Sequence, residues 1–459
     1  MKGALHFVGI GGIGMSAIAR ILVGRGDRIS GSDVQENRLT DELRAAGARI
    51  MIGHRSRNIN GARAVVISSA IAPDNPEFVA ASERGLPLYR RGEMLAHLMR
   101  GRRGIAIAGT HGKTTTTAMA ASVLEAGGVD PTVLIGGEAI EWGTNARDGG
   151  GAWFLTEADE SDGSFMELDP EIALVTNIEN DHIASDEELP RLRNAFASFL
   201  RRLPADGVAV IGIDNAESAA LARLSRVART LTFGISNSAD IHATALRYED
   251  FGSSFDVVAK GKAIGSAQLR LPGEINVFNA LGAIAIGLTL GVHFKTVTDA
   301  LERFAGVRRR FEVLAHTPEL TVVDDYAHHP TEVKATIAAA RAYHDGHVVV
   351  AFQPHRYTRT AYLAREFAEA LSGAQRVFLT PIYGASESPI EGVSERSIGE
   401  PLRGRGTRVD YVASVDELPE RIRSGVSPGS LVLMLGAGDI TRVAAVLADG
   451  LKVRTPAIA

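Results

Sequence analysis

Short apolar runs alternate with longer mixed stretches along most of this 459-residue chain. Such runs, when turn residues bound them, are typical of buried strands, and the stretches between them have the length of helices. The predicted strands lie at residues 4–8, 28–30, 64–67, 105–108, 153–156, 172–176, 208–213, 321–323, 347–352, 376–380 and 431–435. Strands separated by helices form parallel sheets, so the pattern predicts an α/β fold.

The alternation falls into three blocks, and a chain of this length is expected to hold more than one domain. We expect domains at residues 1–101, 102–307 and 308–459. The second block also carries a β-rich patch at about 228–271, which precedes a helix. The longest nearly apolar segment, residues 280–292, is too short to cross a bilayer.

The amino-acid composition excludes several classes of function for this protein. The net charge of −5 argues against a general nucleic-acid-binding protein, because such proteins carry a basic excess. The lack of cysteine excludes disulfides and thiolate chemistry and fits a cytoplasmic protein. The N-terminus imitates a secretory signal, but four glycines interrupt its apolar stretch. We therefore expect a cytoplasmic protein that binds no nucleic acid and does not insert into membranes.

The most informative motif reads Gly-Thr-His-Gly-Lys-Thr at residues 109–114, directly after the strand predicted at 105–108. Glycine turns let backbone N–H groups close on phosphate oxygens, and the N-terminus of the following helix adds positive potential. Lys113 would reach the outer phosphates of a nucleotide, and Thr114 would offer its hydroxyl to Mg²⁺. The strict P-loop pattern is not met, because Ile107 stands where its first glycine belongs. An ordinary glycine turn between strand and helix is the alternative.

A second glycine-rich turn, which contains Gly9, Gly11 and Gly14, follows the first predicted strand. Asp33 comes about twenty residues later, as in the fingerprint of Rossmann-like, dinucleotide-binding domains. This turn could hold NAD, FAD or another diphosphate, since it supplies only a close approach and a helix N-terminus. Two phosphate-binding turns in one chain indicate two phosphorylated ligands, one linked through a diphosphate and one a triphosphate.

Acidic and histidine side chains follow two predicted strands of the second block. Residues 156–162 read Thr-Glu-Ala-Asp-Glu-Ser-Asp, and residues 176–182 end in Asp-His. Ligands bind at the carboxyl ends of parallel strands, and carboxylates there can hold Mg²⁺ on phosphate oxygens. His182 could bind a metal or orient a phosphate. A solvated acidic turn and a plain polar contact are the respective alternatives.

The third block brings basic and acidic side chains together. Arg308, Arg309 and Arg310 lie at its start, and guanidinium groups suit phosphate geometry. Residues 324–330 and 353–359 follow neighbouring strands and place acids, histidines and arginines at one sheet edge. The arginines at 356 and 359 are three residues apart, so in a helical first turn they share a face and can clamp a carboxylate. A basic linker and a structural ion-pair network are the alternatives.

These motifs together resemble the Mur ligases of peptidoglycan synthesis. The resemblance covers essentially the whole chain and rests on residues 109–116, 157–162, 177–182, 309–311, 324–332 and 352–360. Within the family, residues 6–15 and 436–440 resemble the branch that adds L-alanine.

The resemblance implies a fold and a reaction. The expected domains are a Rossmann-like N-terminal domain for the UDP-sugar, a central P-loop-type ATPase domain, and a Rossmann-like C-terminal domain for the amino acid. ATP would phosphorylate the lactyl carboxylate of UDP-N-acetylmuramate, and L-alanine would attack the resulting acyl phosphate. Mg²⁺ is the implied cofactor, and a monomer or homodimer is expected.

Motif positions carry the family's residue roles onto this sequence. The residues implied to bind ATP are Gly109, Thr110, His111, Gly112, Lys113, Thr114, Thr115, Asn276, Asn279, Arg310 and Asp325. The residues implied to hold Mg²⁺ are Thr114, Glu157 and His182. The residues implied to act in catalysis are Lys113, Glu157, His182, His328, Arg356 and Arg359. The residues implied to bind the UDP-sugar or the amino acid are Gly9, Gly11, Gly12, Gly14, Ser69, Tyr326 and His355.

The chain departs from the family pattern at two places. Ile275 stands where the family usually has a histidine that contacts adenine. Ala184 stands where an acid often follows the metal-site histidine. No lysine lies between Lys113 and Lys260, which resembles the alanine-adding branch, because several sister ligases carry a carbamylated lysine in this domain.

Three other functions remain open at this point. A sister ligase adds a recycled tripeptide to the same UDP-sugar, although its N-terminal loop usually differs. A nicotinamide-dependent oxidoreductase would use the first glycine turn but leaves Lys113 and Thr114 without a role. A non-enzymatic, ATP-gated binding protein would need no pair of arginines at the third sheet.

Overall fold

The computed structural model describes residues 3–160, 162–179, 188–225, 227, 229–249 and 251–452, with three β-sheets that follow one another along the chain. Helices connect most strands, so the predicted α/β class is confirmed. Each sheet with its helices is called a domain below.

The N-terminal domain is a parallel sheet covered by helices. Its strands are β1 (Ala4–Val8), β2 (Ile29–Asp33), β3 (Arg49–Ile52), β4 (Ala62–Ile67) and β5 (Leu88–Arg90). Its helices are α1 (Ile13–Gly24), α2 (Arg38–Ala45), α3 (Pro76–Glu83) and α4 (Arg91–Met99). The strand order is β3-β2-β1-β4-β5, so the chain builds the sheet outwards from β1 first on one side and then on the other. Ligands bind at such a switch point in Rossmann-like sheets.

The central domain has a mixed sheet. Its strands are β6 (Arg103–Ala108), β7 (Thr132–Ala139), β8 (Thr144–Arg147), β9 (Trp153–Glu157), β10 (Ile172–Val175), β11 (Val208–Gly212), β12 (Arg229–Gly234), β13 (Ile241–Glu249), β14 (Gly252–Ala259) and β15 (Lys262–Leu269). Its helices are α5 (Lys113–Ala126), α6 (Glu188–Leu200), α7 (Ala216–Leu224), α8 (Glu274–Thr289) and α9 (Phe294–Arg303). The order is β15-β14-β13-β12-β11-β10-β6-β9-β7-β8, and the pairs β7/β8, β13/β14 and β14/β15 are antiparallel.

The C-terminal domain is again mostly parallel, with one antiparallel edge. Its strands are β16 (Glu312–His316), β17 (Leu320–Asp325), β18 (Val348–Phe352), β19 (Arg376–Leu379), β20 (Arg408–Tyr411) and β21 (Ser430–Leu435). Its helices are α10 (Pro330–Tyr343), α11 (Tyr357–Tyr362), α12 (Ala364–Leu371), α13 (Arg396–Gly404), α14 (Leu418–Gly425) and α15 (Ile440–Lys452). The order is β16-β17-β21-β18-β19-β20, so β17, β21 and β18 form its buried centre.

Each predicted strand coincides with a strand of the structure, and the β-rich patch is β12 to β15. The sequence pattern did not reveal β3, β5, β7, β8, β16 and β20. Most of these lie at sheet edges, where β3 and β5 expose part of their side chains and so lose the apolar signal. In β7 the apolar run is only three residues long, because Gly136 and Gly137 end it and Glu138 follows.

The nearly apolar segment at residues 280–292 is a buried helix end. Helix α8 packs against both the sheet and the neighbouring helix α5, and its residues from Asn276 to Gly287 are buried. A helix that is apolar on all sides is expected inside a domain. A Cβ atom at Gly282 would lie 3.2 Å from both Leu174 and Thr116, so glycine allows the helix to approach on two sides. Within the described ranges, no helix is long and apolar enough to cross a membrane.

A buried hydrogen-bond network supports β1 and β2. The Glu77 carboxylate is fully buried and accepts hydrogen bonds from His6 Nε2 at 3.2 Å, Ser32 Oγ at 2.5 Å and Asn58 Nδ2 at 2.5 Å. Burial raises the pKa of Glu77, but hydrogen bonds from these groups and from the backbone N–H of Arg55 lower it to about 2. Because the backbone carbonyl of Ser32 accepts hydrogen bonds from Gly9 and Ile10, the network also fixes the first glycine turn.

The change Glu77→Gln is expected to destabilise the N-terminal domain by about 2–4 kcal/mol at pH 7, because an amide N–H₂ would face donors already aimed at the carboxylate. Since the folded pKa lies below the ordinary value of 4.5, ionised Glu77 stabilises the domain above about pH 5. That contribution is lost as the pH falls from 4.5 towards about 2. The stabilities of the wild type and of Glu77→Gln should therefore become equal near pH 2.

Hydrogen exchange of the β1 amides, followed by mass spectrometry, measures this local stability. Glu83→Gln, on the exposed side of the same helix α3, is the matched control. Equal exchange rates in the two variants at pH 7 would contradict the role of Glu77.

Candidate active site

A cavity of about 750 Å³ lies where the three domains meet. Such junctions are common sites of small-molecule binding. The predicted site residues that line it are Thr110, Gly112, Lys113, Thr114, Glu157, Arg310, Tyr326 and His328. Ile13 and Arg38 extend into it from the N-terminal domain, so all three domains contribute to one chamber.

The loop between β6 and α5 has the geometry of a phosphate-binding turn. Gly109 and Gly112 adopt φ values of +130° and +80°, a region that side chains disfavour. A Cβ atom at Gly109 would lie 2.0 Å from Thr176 Oγ1, and one at Gly112 would lie 2.4 Å from Asn279 Oδ1. Glycine is therefore required at both positions, and the N-terminus of α5, which has no side-chain cap, follows directly.

Lys113, the first residue of α5, is almost buried inside this loop. Its ammonium group donates hydrogen bonds to the carbonyls of Gly109 and Thr110 and contacts Glu160 Oε2 at 2.9 Å. Burial alone would lower the pKa of Lys113, but the nearby carboxylates of Glu160, Glu157 and Asp159 raise it. Burial also raises the pKa of Glu160 to about 7, against the attraction of Lys113. The lysine therefore stays charged beside the loop.

Thr114 and Glu157 lie side by side in the same chamber. Thr114 Oγ1 donates a 2.9 Å hydrogen bond to Glu157 Oε2, which also accepts one from the N–H of Gly136 at 2.9 Å. A hydroxyl and a carboxylate oxygen are the ligand types that Mg²⁺ prefers, so these two residues fit the implied metal. His182, the third predicted ligand, lies outside the described residues.

His111 and Glu332 join the phosphate loop to the C-terminal domain. His111 Nδ1 lies 3.2 Å from Glu332 Oε1, and Glu332 Oε2 accepts hydrogen bonds from the N–H groups of His328 and His329. Burial would raise the pKa of Glu332, but His328, His111 and Arg310 hold it well below its usual range. A carboxylate thus spans the domain boundary beside the predicted ATP site.

Ligand atoms of His111, Glu179 and His329 also lie within 4.8 Å of one another. His329 Nδ1 accepts the N–H of Thr331 at 3.4 Å, which favours a proton on the other ring nitrogen. A protonated nitrogen is not a metal ligand. We interpret these residues as a polar cluster that caps α10.

A smaller cavity of about 60 Å³ adjoins the phosphate loop. Its lining includes the predicted ATP residues His111, Gly112, Thr115, Asn276, Asn279, Arg310 and Asp325, together with Ile275. Asp325 accepts hydrogen bonds from the N–H groups of Phe311 and Ala327, both at 2.7 Å. Burial raises the pKa of Asp325 to about 6, although Arg310 opposes the shift. The structure therefore gathers residues from all parts of the predicted ATP set in one place.

The remaining C-terminal site residues surround His328. Its ring lies 5.0 Å from the Tyr326 ring and 5.7 Å from the His355 ring, measured between centroids. Arg359 is buried in α11 and lies 3.4 Å from His355 Nδ1, whereas Arg356 is exposed and adopts φ +71° just before the helix. The two arginines thus have different surroundings, and a joint clamp on a carboxylate remains a prediction.

The first glycine turn opens onto a third cavity, of about 300 Å³, between the N-terminal and central domains. Gly12, Gly14 and Ser69 line it, while Gly9 and Gly11 form the base of the turn. Asp33 Oδ2 accepts the N–H of Gly11 at 2.8 Å, so this acid holds its own loop. Arg91 enters the same cavity beside Glu157.

Sequence reasoning missed several charged residues of the site, of which Glu138, Glu160, Glu332 and Arg91 are the most connected. Glu160 and Glu332 lay within quoted motifs, but nothing in their spacing distinguished them from their neighbours. Glu138 and Arg91 belong to no motif. The adjacent pair of arginines at the start of α4 was the one weak indication that Arg91 has a function, and Glu138 had none. Their contacts arise from domain packing, which the pattern of one chain does not encode.

Comparisons with known proteins cover nearly the whole chain. Family models match in order: "Mur ligase family, catalytic domain" at residues 4–103, "Mur ligase middle domain" at 107–287 and "Mur ligase, glutamate ligase domain" at 309–438. The UDP-N-acetylmuramate–L-alanine ligase of Geotalea uraniireducens (strain Rf4) is 45% identical over 449 residues, 98% of each chain. The enzyme of the same name from Geobacter sulfurreducens is 46% identical over 440 residues, 95% of each.

Solved structures agree with these matches. The crystal structure of UDP-N-acetylmuramate-alanine ligase from Thermotoga maritima has a TM-score of 0.85 and 32% identity, covering 99% of this chain and 100% of that one. A murein peptide ligase from Psychrobacter arcticus has a TM-score of 0.73 at 23% identity, over 99% of this chain and 100% of that one, which supports the fold alone.

Lys113→Ala is expected to lower the affinity for Mg²⁺–ATP by about 10-fold or more, because a charge-assisted contact to phosphate is lost. Isothermal titration calorimetry on the full-length protein measures it. The double variant Lys113→Ala with Glu160→Gln is the control, since it removes the buried unpaired carboxylate and should restore stability without restoring affinity. Wild-type ATP affinity in both variants would refute the role of the loop.

Proposed function

The chain belongs to the Mur ligase family, and we propose that it is the member that joins L-alanine to the lactyl carboxylate of UDP-N-acetylmuramate. The reaction consumes ATP and releases ADP and phosphate. Relatives of that name match the chain over nearly its whole length at 45% identity, which supports the amino-acid and sugar substrates.

One observation carries the proposal, namely that residues of all three domains line a single chamber. The phosphate loop enters it from the central domain, Tyr326 and His328 from the C-terminal domain, and Ile13 and Arg38 from the N-terminal domain. A ligase must bring ATP, an acid and an amine to one point, and a chamber at a three-domain junction meets that need.

In the first step, a carboxylate oxygen of UDP-N-acetylmuramate attacks the γ-phosphorus of ATP, and ADP leaves. Two anions approach each other, so positive charge must surround them. Lys113 and the backbone N–H groups at the start of α5 supply that charge from one side. Arg310, which lines both the chamber and the small cavity, supplies it from the other domain.

In the second step, the amino nitrogen of L-alanine attacks the carbonyl carbon of the acyl phosphate, and inorganic phosphate leaves. We assign the amino acid to the region around Tyr326, His328 and His355, where Arg359 is the buried cation that can face a carboxylate. The deep position of that arginine excludes water from the pairing and strengthens it.

Mg²⁺ is the proposed cofactor, held by Thr114 and Glu157 and, by motif position, His182. Bound there, the ion would neutralise charge on the transferring phosphoryl group. The hydrogen bond from Thr114 to Glu157 keeps these two oxygens together, and the Gly136 N–H fixes the carboxylate orientation.

The alternatives fit the site less well. A nicotinamide-dependent oxidoreductase would use the acid at the end of β2 to hold a ribose, whereas Asp33 accepts the backbone N–H of Gly11 in the first glycine turn. A tripeptide-adding sister ligase shares the fold, but the alanine-adding relatives are far closer in sequence than the murein peptide ligase.

Phosphate release by the purified protein is expected to require ATP, Mg²⁺, UDP-N-acetylmuramate and L-alanine together, because the acyl phosphate forms on one substrate and is resolved by another. A coupled assay with each component omitted in turn measures this, and a panel of single amino acids tests selectivity. NADH fluorescence in the same buffer is the control for nicotinamide binding. Release driven by the tripeptide and by none of the single amino acids would contradict the assignment.

A further inference from the structure

Arg91 connects two domains at the edge of the 300 Å³ cavity. It is the first residue of α4 in the N-terminal domain, yet its Nη2 atom donates hydrogen bonds into the central domain. The acceptors are Asp159 Oδ2 at 3.0 Å, Asp162 Oδ2 at 2.7 Å and Ser164 Oγ at 3.1 Å. The side chains of Arg91, Asp159 and Asp162 are 17%, 36% and 20% exposed, so the ion pairs are partly shielded from solvent.

The backbone next to Arg91 lies directly against the central domain. A Cβ atom at Gly92 would lie 2.4 Å from the Cβ of Ser164, so the start of α4 touches the central domain with no room for a side chain between them. This contact holds the backbone at the start of α4 beside the acidic turn, so the base of the Arg91 side chain is kept within reach of Asp159 and Asp162.

The other edge of the guanidinium group faces the first glycine turn. A Cβ atom at Gly14 would lie 3.2 Å from Arg91 Cδ and 3.3 Å from Nη1. The acidic contacts all use Nη2, and the structure, over the residues it describes, gives the N–H groups on Nε and Nη1 no acceptor. One cation thus has a bound side and an open side.

The open side lies in a cavity suited to a phosphorylated ligand. Gly12, Gly14 and Ser69 form part of its wall, and Arg91 is the one arginine or lysine among the described residues that line it. Glu157 and Asp159 line it as well, so an anion there must have a cation beside it to avoid repulsion.

The geometry points to Arg91 as a binding residue for the diphosphate of the sugar nucleotide, through Nη1 and Nε, while Nη2 remains on Asp159 and Asp162. The identity of the ligand rests on the proposed function. Arg91 would then link three partners, namely the N-terminal domain, the diphosphate and the acidic turn that leads to Glu157. Binding of the sugar nucleotide would hold the N-terminal domain against the central domain.

The test compares UDP with uridine, which lacks the phosphates, by calorimetric titration of the full-length protein. Arg91→Ala is expected to weaken UDP binding about 10- to 100-fold, the effect of losing charge-assisted hydrogen bonds, and to leave uridine binding unchanged. Arg90→Ala, an exposed neighbour on the same helix start, is the matched control and should stay within about twofold of wild type.

Arg91→Lys is the second variant, because it keeps the positive charge if Arg91→Ala does not fold. Lysine carries its donors on one nitrogen, whereas the three nitrogens of a guanidinium group can reach acceptors on opposite sides. UDP binding should therefore still fall severalfold while uridine binding is kept. In steady-state kinetics of either variant, KM for UDP-N-acetylmuramate should rise more than KM for ATP.

Three results would overturn the role of Arg91. If both variants bind UDP within about twofold of the wild-type affinity, Arg91 does not contact the diphosphate. An equal loss for UDP and uridine would show a merely structural role. A wild-type protein that binds neither UDP nor UDP-N-acetylmuramate would overturn the proposed function as well. If the wild type turns over normally and the variants bind UDP as it does, only the role of Arg91 is overturned.

Discussion

The acidic turn at the end of β9 is the constraint on which the site depends. Its carboxylates hold the two cations that phosphate groups need, Lys113 through Glu160 and Arg91 through Asp159 and Asp162. A buried lysine or arginine is costly unless a carboxylate compensates its charge. The turn therefore allows both cations to sit inside the protein, fully charged and correctly aimed. Glu157, at the start of this turn, instead accepts hydrogen bonds from Thr114 and from the N–H of Gly136.

The domains around the chamber are joined in two ways. The N-terminal and central domains share one buried apolar cluster, to which Met15 and Leu95 contribute from one side and Leu134 and Phe165 from the other, and two largely buried glutamates add ion pairs between domains. Glu138 of the central domain is buried and pairs with Arg38 of the N-terminal domain and with Arg308 at 2.9 Å. Glu332 makes the corresponding link between the C-terminal domain and the phosphate loop. Among the residues that the structure describes, the buried apolar clusters of the C-terminal domain contain no buried residue of the other two domains, so its polar contacts can separate and be replaced by water. A ligase that admits three substrates and releases three products needs such reversible contacts.

The sequence predicted the central strands well because burial on both faces leaves an apolar run that needs no knowledge of the partner strand. It predicted the phosphate loop because Gly109 and Gly112 are required by local backbone geometry and by close approach. The pattern did not predict edge strands such as β3 and β5, because their side chains are partly exposed and not uniformly apolar. Arg91 escaped because its partners lie about seventy residues away and belong to another domain.

The sequence by itself determined the fold class, the order of the three blocks and the phosphate loop, since each follows from local burial patterns or from glycine conformations. Only the tertiary structure decided which charges meet: that Lys113 binds Glu160, that His111 binds Glu332, and that Arg91 spans the N-terminal and central domains. The physical reason is range. Backbone conformation and hydrophobic periodicity act over neighbouring residues, whereas an ion pair depends on the final distance between side chains that the chain separates by tens to hundreds of positions.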